Sequence, residues 1–316
     1  MADMTFSGVT FDGGFAITLP PPSYLAYAIF GYGSTSLGAQ SLSMTNLVSN
    51  TGVVATDTTG VGTARYQLAA AGYGLDKAIF GYGQDTTPTV VSITNKVSNA
   101  GVVATDTAGV GTARRMLAAS GYGTDKAIFG YGLTTAITNL VSNTGVVATD
   151  TAGVGTARYY LAAAGYGTDK AIFGYGAIAG DSVQSITNLV SNTGVVATDT
   201  AGVGTARRGV AAAGYGTDKA IFGYGDDGAS NYNVLSVTNL VSNTGVVATN
   251  TTGVGTARSA LAAASYGPTK AIFGYGSTGA MTSVTNLVSN TGVVATDTTG
   301  VGTARNSLAA ASYGST

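Results

Sequence analysis

Read only as apolar and polar positions, the chain is a succession of short runs that never settle into a helical period. Residues 117–151 show the pattern. A small-residue run, Leu117–Gly123, meets a Gly-Thr-Asp turn, and Lys126–Gly132 (KAIFGYG) follows with Ala127, Phe129 and Tyr131 set against Ile128. Ala136–Asn143 (AITNLVSN) comes next, then an Asn-Thr-Gly turn and Val146–Thr151 (VVATDT). Period-two alternation in runs this short, punctuated by glycine and asparagine, predicts four antiparallel strands joined by tight turns. Apolar residues on both sides of KAIFGYG predict a sheet packed on both faces.

The pattern recurs six times. The isoleucine of IFGYG stands at 29, 79, 128, 172, 221 and 272, in steps of 50, 49, 44, 49 and 51 residues. The words GTAR and SN(T/A)GVVAT also occur six times each. A period near 50 belongs to propellers rather than short-rung solenoids. The alanine-rich run suits the crowded axis of such a ring, and the Phe and Tyr of the next run suit the wider space outside it. The repeats begin at a second strand (Ala28–Gly33) and stop after a first one (Leu308–Gly314). The predicted fold is therefore all-β: a six-bladed β-propeller of four-stranded antiparallel blades over residues 24–316. Its ring is closed by the C-terminal strand joining the N-terminal blade, which removes free edges. An open stack with two ragged ends is the rival architecture. Residues 1–23, ending in Pro20-Pro21-Pro22, do not match the repeat and read as an anchoring or linker segment that docks the repeats to a larger assembly.

The order of basic residue, small-residue strand, IFGYG strand with its paired glycines, two tyrosine-poor strands and a return to TAR resembles the Kelch repeat over roughly 24–316. Gly-Tyr-Gly replaces the adjacent glycine pair of Kelch units, and the tryptophan of their fourth strand is missing. The near-verbatim copies are also similar to arrays in tailed-phage and bacterial fibre or surface proteins. The resemblance implies a propeller with a binding or structural role, usually without catalysis.

Composition narrows the chemistry further. The 316 residues are 45% apolar, enough for a core, and carry a formal net charge of −1. No broad attraction to nucleic acid or to an anionic membrane follows from that balance, and no apolar run reaches the length of a membrane span. The chain has no His, Cys, Trp or Glu, so all 15 acids are aspartates. The usual general bases, the thiolate nucleophile and the soft metal ligands are thereby missing, and no cofactor or metal is expected.

With a constant framework, the positions that vary carry the information. They fall after each IFGYG and directly after each TAR, at Tyr66-Gln67, Arg115-Met116, Tyr159-Tyr160, Arg208-Gly209, Ser259-Ala260 and Asn306-Ser307. Strand direction puts both sets on one face of the disc, so the predicted binding residues are Tyr66, Gln67, Arg115, Met116, Tyr159, Tyr160, Arg208 and Asn306. The longest loop adds Asp226, Asp227, Asn231 and Tyr232. Varied loops on a fixed scaffold are the usual layout of a binding face, with drift of tolerant loops as the competing explanation. Arg65, Arg114, Arg158, Arg207, Arg258 and Arg305 are placed at the mouth of the channel. There they would form an anion-binding ring or, as the preferred alternative, pair with Asp57, Asp106, Asp150, Asp199 and Asp297. By that spacing Asn250 faces Arg258 and makes its blade the exception. The aspartates of the Asp-Lys turns read as turn stabilisers.

The leading functional expectation is a non-enzymatic module on a virion (tail fibre or decoration) or an extracellular surface, binding a glycan or protein receptor through the variable face. One alternative is a cytoplasmic Kelch-like scaffold for protein partners. Another is a hydrolase or lyase-type enzyme using Asp, Tyr and Arg on the same face, which would lose turnover on Asp226→Ala or Asp227→Ala.

Overall fold

The computed structural model describes residues 25–36, 40–229 and 233–315. Within them every regular element is a β-strand. Six three-stranded antiparallel sheets repeat one plan, and two short two-stranded ribbons accompany them. In each sheet the KAIFG strand is central, flanked by the alanine-rich strand and the TNLV strand. Lys126–Gly130, for instance, pairs with Ala118–Tyr122 on one side and Thr138–Val141 on the other. One sheet joins distant parts of the chain: Leu25–Gly31 pairs with Thr45–Val48 and with Ala309–Ser315, Gly31 lying opposite Ala309. The sheets are numbered I to VI below by their KAIFG strands, sheet I being that of Leu25–Gly31. The segment 1–23 lies outside the described residues.

The expected fourth strand is corrected. Val146–Thr151 forms no continuous ladder and meets its neighbour only at two isolated bridges, Val141↔Val147 and Thr138↔Thr151. The register slips by one residue between them, which is a bulge. Asn139, fully buried, spans it: its Nδ2 donates to the Ala148 carbonyl at 3.0 Å and to Asp150 Oδ1 at 2.9 Å. The equivalent asparagine donates to the matching alanine carbonyl in the other five units, and in one of them, Asn239, the second acceptor is Asn250. A side-chain amide thus tethers the segment where backbone pairing is lost.

Alternation along KAIFGYG also departs from expectation at its end. Tyr131 packs on the same side as Ile128, against Phe173 of sheet IV at a ring-centroid distance of 5.1 Å. Its φ of 64° turns the backbone into the left-handed region and reverses the side chain. All six GYG tyrosines share this conformation. The glycine before each tyrosine is required by contact: a Cβ on Gly130 would lie 2.7 Å from the Phe173 ring.

The apolar core divides into six clusters, each between consecutive sheets, and the cluster with Phe30 and Tyr275 joins sheets I and VI. The alanine strands contact one another in sequence, 69–73 with 118–122 and onward, and 309–315 touches both 262–266 and 69–73. Small side chains permit this approach.

Candidate functional site

The six TAR arginines are fully buried, which corrects the expectation of an anion ring at an open mouth. Each lies over the GYG tyrosine of one unit, as Arg258 does over Tyr224 at 4.4 Å, and binds the next unit. Arg258 donates through Nε to the Tyr275 carbonyl at 2.8 Å and through a terminal nitrogen to Asn286 Oδ1 at 2.8 Å. The guanidinium fork reads a carbonyl and an amide together, a task for which lysine lacks the geometry. Burial lowers each arginine's pKa while the facing tyrosine opposes it. Arginine stays charged under these conditions.

The aspartate pairing is corrected as well. The carboxylate near each arginine except Arg207 belongs to the following unit, not to the position eight residues upstream. Asp106 accepts from the Thr63 backbone N–H and, at 2.6 Å, from the Thr63 hydroxyl, with Arg65 as its cation. Arg305 and Asp57 make the same contact between sheets VI and I, at 3.9 Å. Partial burial pushes these carboxyls up, and the threonine and asparagine hydrogen bonds with the arginine charge outweigh it, so Asp57, Asp106, Asp150, Asp199 and Asp297 all titrate below the usual range. Asn250 consequently faces Thr205 and the Arg207 unit rather than Arg258.

The variable residues come together by backbone pairing. The first residue after TAR bridges the first after GYG in Tyr66↔Gln84, Tyr159↔Ala177, Arg208↔Asp226, Ser259↔Ser277 and Asn306↔Ser34. The second residue after TAR holds a positive φ in every unit, from 53° at Tyr160, Ala260 and Ser307 to 61° at Gly209. These residues hydrogen-bond head to tail: Met116 N–H to the Gln67 carbonyl at 2.8 Å, Tyr160 to Met116, Gly209 to Tyr160, Ala260 to Gly209, Ser307 to Ala260, and Gln67 N–H to the Ser307 carbonyl at 2.8 Å.

Around them opens a cavity of about 400 Å³ lined by Tyr66, Gln67, Tyr160, Asp181, Arg208, Gly209, Asp226, Ser259, Ala260, Asn306 and Ser307. Arg208 donates to Asp226 Oδ1 at 3.0 Å and to Asp181, which also accepts from the Tyr159 hydroxyl at 2.6 Å. Burial works against the Arg208 charge, and Asp226 and then Asp181 outweigh it, so its pKa is raised. Gln67 Nε2 donates to the Tyr160 hydroxyl, and burial pushes that phenol up to about 12 despite Arg115 and Arg208. The six apolar residues that follow in sequence, Leu68, Leu117, Leu161, Val210, Leu261 and Leu308, line a smaller space of about 70 Å³ with Met116.

Six of the expected binding residues therefore gather at one cavity: Tyr66, Gln67, Tyr160, Arg208, Asp226 and Asn306. Arg115 turns aside to Gln84 Oε1, Tyr159 supports Asp181, and Met116 sits in the smaller space. Asp227 bonds Asn233 at 2.7 Å and the Ala229 N–H within its own loop, the Asn233 bond foremost in holding its carboxyl low. Asn231 and Tyr232 lie outside the described residues. The lining also includes Asp181, Gly209, Ser259, Ala260 and Ser307, which are not among the expected binding residues. Asp181 was signalled as the sole charge in its loop, AIAGDSVQS, and the others by membership of the post-TAR pairs.

The opposite face is near-uniform. A second cavity, of about 380 Å³, is lined by the alanine strands and by turn residues such as Lys126, Lys170 and Lys219. Those lysines bind the preceding aspartates, Lys126 to Asp125 at 2.9 Å. The turns also link units, Gly74 N–H donating to the Asp125 carbonyl at 2.7 Å and Gly314 N–H to that of Asp76 at 3.1 Å.

No protein-family model matches the chain, and no curated protein matches it.

Proposed function

We propose that the chain is a six-bladed β-propeller, closed between residues 25–31 and 309–315, that serves as a non-enzymatic binding module through the variable mouth of its channel. Two kinds of contact support the ring. The core clusters join every consecutive pair of sheets including VI with I, and the backbone bonds of residues 67, 116, 160, 209, 260 and 307 return to their starting point.

One observation carries the binding reading. The units copy one another almost everywhere, yet six of the side chains in which they differ, Tyr66, Gln67, Tyr160, Arg208, Asp226 and Asn306, meet at one cavity of about 400 Å³. That size lies within the range of small-ligand sites. Arg208 and its two aspartates, with the bonded pair of Gln67 and Tyr160, hold the lining in fixed positions, so little ordering is left to oppose association. A glycan or a protein receptor is the partner class this mouth serves.

The test is a binding screen over glycan and peptide arrays with two chains. One is wild type; in the other the loops after GYG and the pairs after TAR are exchanged among units. Loss of the wild-type specificity in the exchanged chain is expected. Unchanged specificity overturns the reading.

A further inference from the structure

We infer that the mouth seats one ligand per chain and that this ligand is the neutral, hydroxyl-rich end of a saccharide; the inference rests on the mouth being the binding site proposed above. Six copies of a unit would ordinarily offer six equal seats. The backbone does so, since all six second residues after TAR share one left-handed conformation and one hydrogen-bond circuit. The side chains break the symmetry. Reading round the mouth they run Gln67, Met116, Tyr160, then Gly209, Ala260, Ser307. Three long side chains fill one half and three short ones vacate the other.

The cavity occupies the vacated half, with Gly209, Ala260 and Ser307 in its lining and the Tyr160 and Tyr66 side chains across from them. Its charge balance then selects among ligands. The lining holds two carboxylates, Asp181 and Asp226, and one guanidinium, which both carboxylates engage. The nearby cation Arg115 is directed to Gln84. An anionic sugar would meet the carboxylates with no guanidinium left to pair with it. A neutral polyol suits the lining better, because each hydroxyl both donates and accepts. The exposed Asp181 carboxylate offers acceptors, and the tyrosine rings offer faces for C–H surfaces.

The experiment is a glycan array carrying hexose- and N-acetylhexosamine-terminated chains beside sialylated, uronic and sulphated ones, followed by isothermal titration of the retained saccharide. Two variants accompany the wild type. Ala260→Gln and Ser307→Tyr place in the empty half side chains that the equivalent backbone positions already carry at Gln67 and Tyr160, so the fold has precedent for them. Retention of neutral-terminated chains, a stoichiometry of one, and a loss of at least about tenfold in affinity in each variant are expected. A preference for acidic chains, a stoichiometry near six, no retention of any neutral chain, or unchanged affinity in Ala260→Gln overturns the inference. If exchanging the variable segments abolishes binding while Ala260→Gln leaves it intact, the mouth remains the site and the single-seat inference falls. If exchange changes nothing, the mouth itself is excluded.

Discussion

Arg258 illustrates how the units are joined at the scale of single residues. Its guanidinium satisfies the Tyr275 and Thr256 carbonyls and Asn286 Oδ1 while lying on the Tyr224 ring. Arg258→Lys keeps the charge and loses the fork. A loss of about 2–4 kcal/mol in urea unfolding is expected, because buried acceptors are left unmet. The aspartates set a pH dependence. Their folded pKa values lie below the unfolded value of about 3.9, so the stability they add is complete above that value and is lost as pH falls through the folded values. The melting temperature is expected to drop between about pH 5 and pH 2. Asn250→Asp supplies the sixth such group beside Thr205. It is expected to raise stability at pH 7 by under about 1 kcal/mol, given solvent screening, and to steepen the acid loss. Scans at pH 7 and pH 3 check both signs. The sequence made the arginine–aspartate relation visible but misassigned its members. Spacing of eight residues lies within one unit, whereas the contact spans two, Thr63 and Asp106 being 43 residues apart.

Each repeated word resolves, at the scale of elements, into a packing requirement. In IFGYG the first glycine makes room for the next unit's phenylalanine, and the tyrosine turns back through a positive φ to meet the same ring and the arginine. On Gly223 a Cβ would fall 2.8 Å from Phe273 Cζ. Gly223→Ala is expected to cost about 1–3 kcal/mol, with part of that loss recovered when Phe273→Leu is added. A double-mutant cycle by chemical denaturation measures the coupling, and strict additivity would show that the two positions do not interact. Alternation and turn residues made three strands per unit readable, within a residue or two at their ends. The fourth was over-read: VVATDT has the composition of a strand, but Asn139 takes the pairing that a ladder would need. The reversal at Tyr131 was likewise hidden, because a tyrosine in the left-handed region has no mark in the alternation.

The circuit of contacts depends, at the scale of the whole molecule, on Leu25–Gly31 meeting Ala309–Ser315. A chain ending at Asn306 leaves the first of these strands with a bare edge and is expected to self-associate on size exclusion and to unfold over a broadened range. A truncated monomer with the parent's melting curve would contradict closure as the source of stability. The period of about 50 residues and the broken first unit made six sheets and their joining legible in the sequence. The cavity was legible as a face rather than as a place: variation marked segments that supply part of its lining, but which side chains meet depends on pairings such as Arg208↔Asp226 and on the vacancy left by Gly209, Ala260 and Ser307. Small residues carry no reactive group, yet they make the room. The proposed ring concentrates its differences at one mouth, and binding there is the proposal to be tested. Amide hydrogen exchange with and without the saccharide retained on the array tests it most directly. Protection is expected around 66–67, 159–160, 208–209, 259–260 and 306–307, with none at the turns near 124, 168 and 217. Protection at those turns with the mouth unchanged would contradict it.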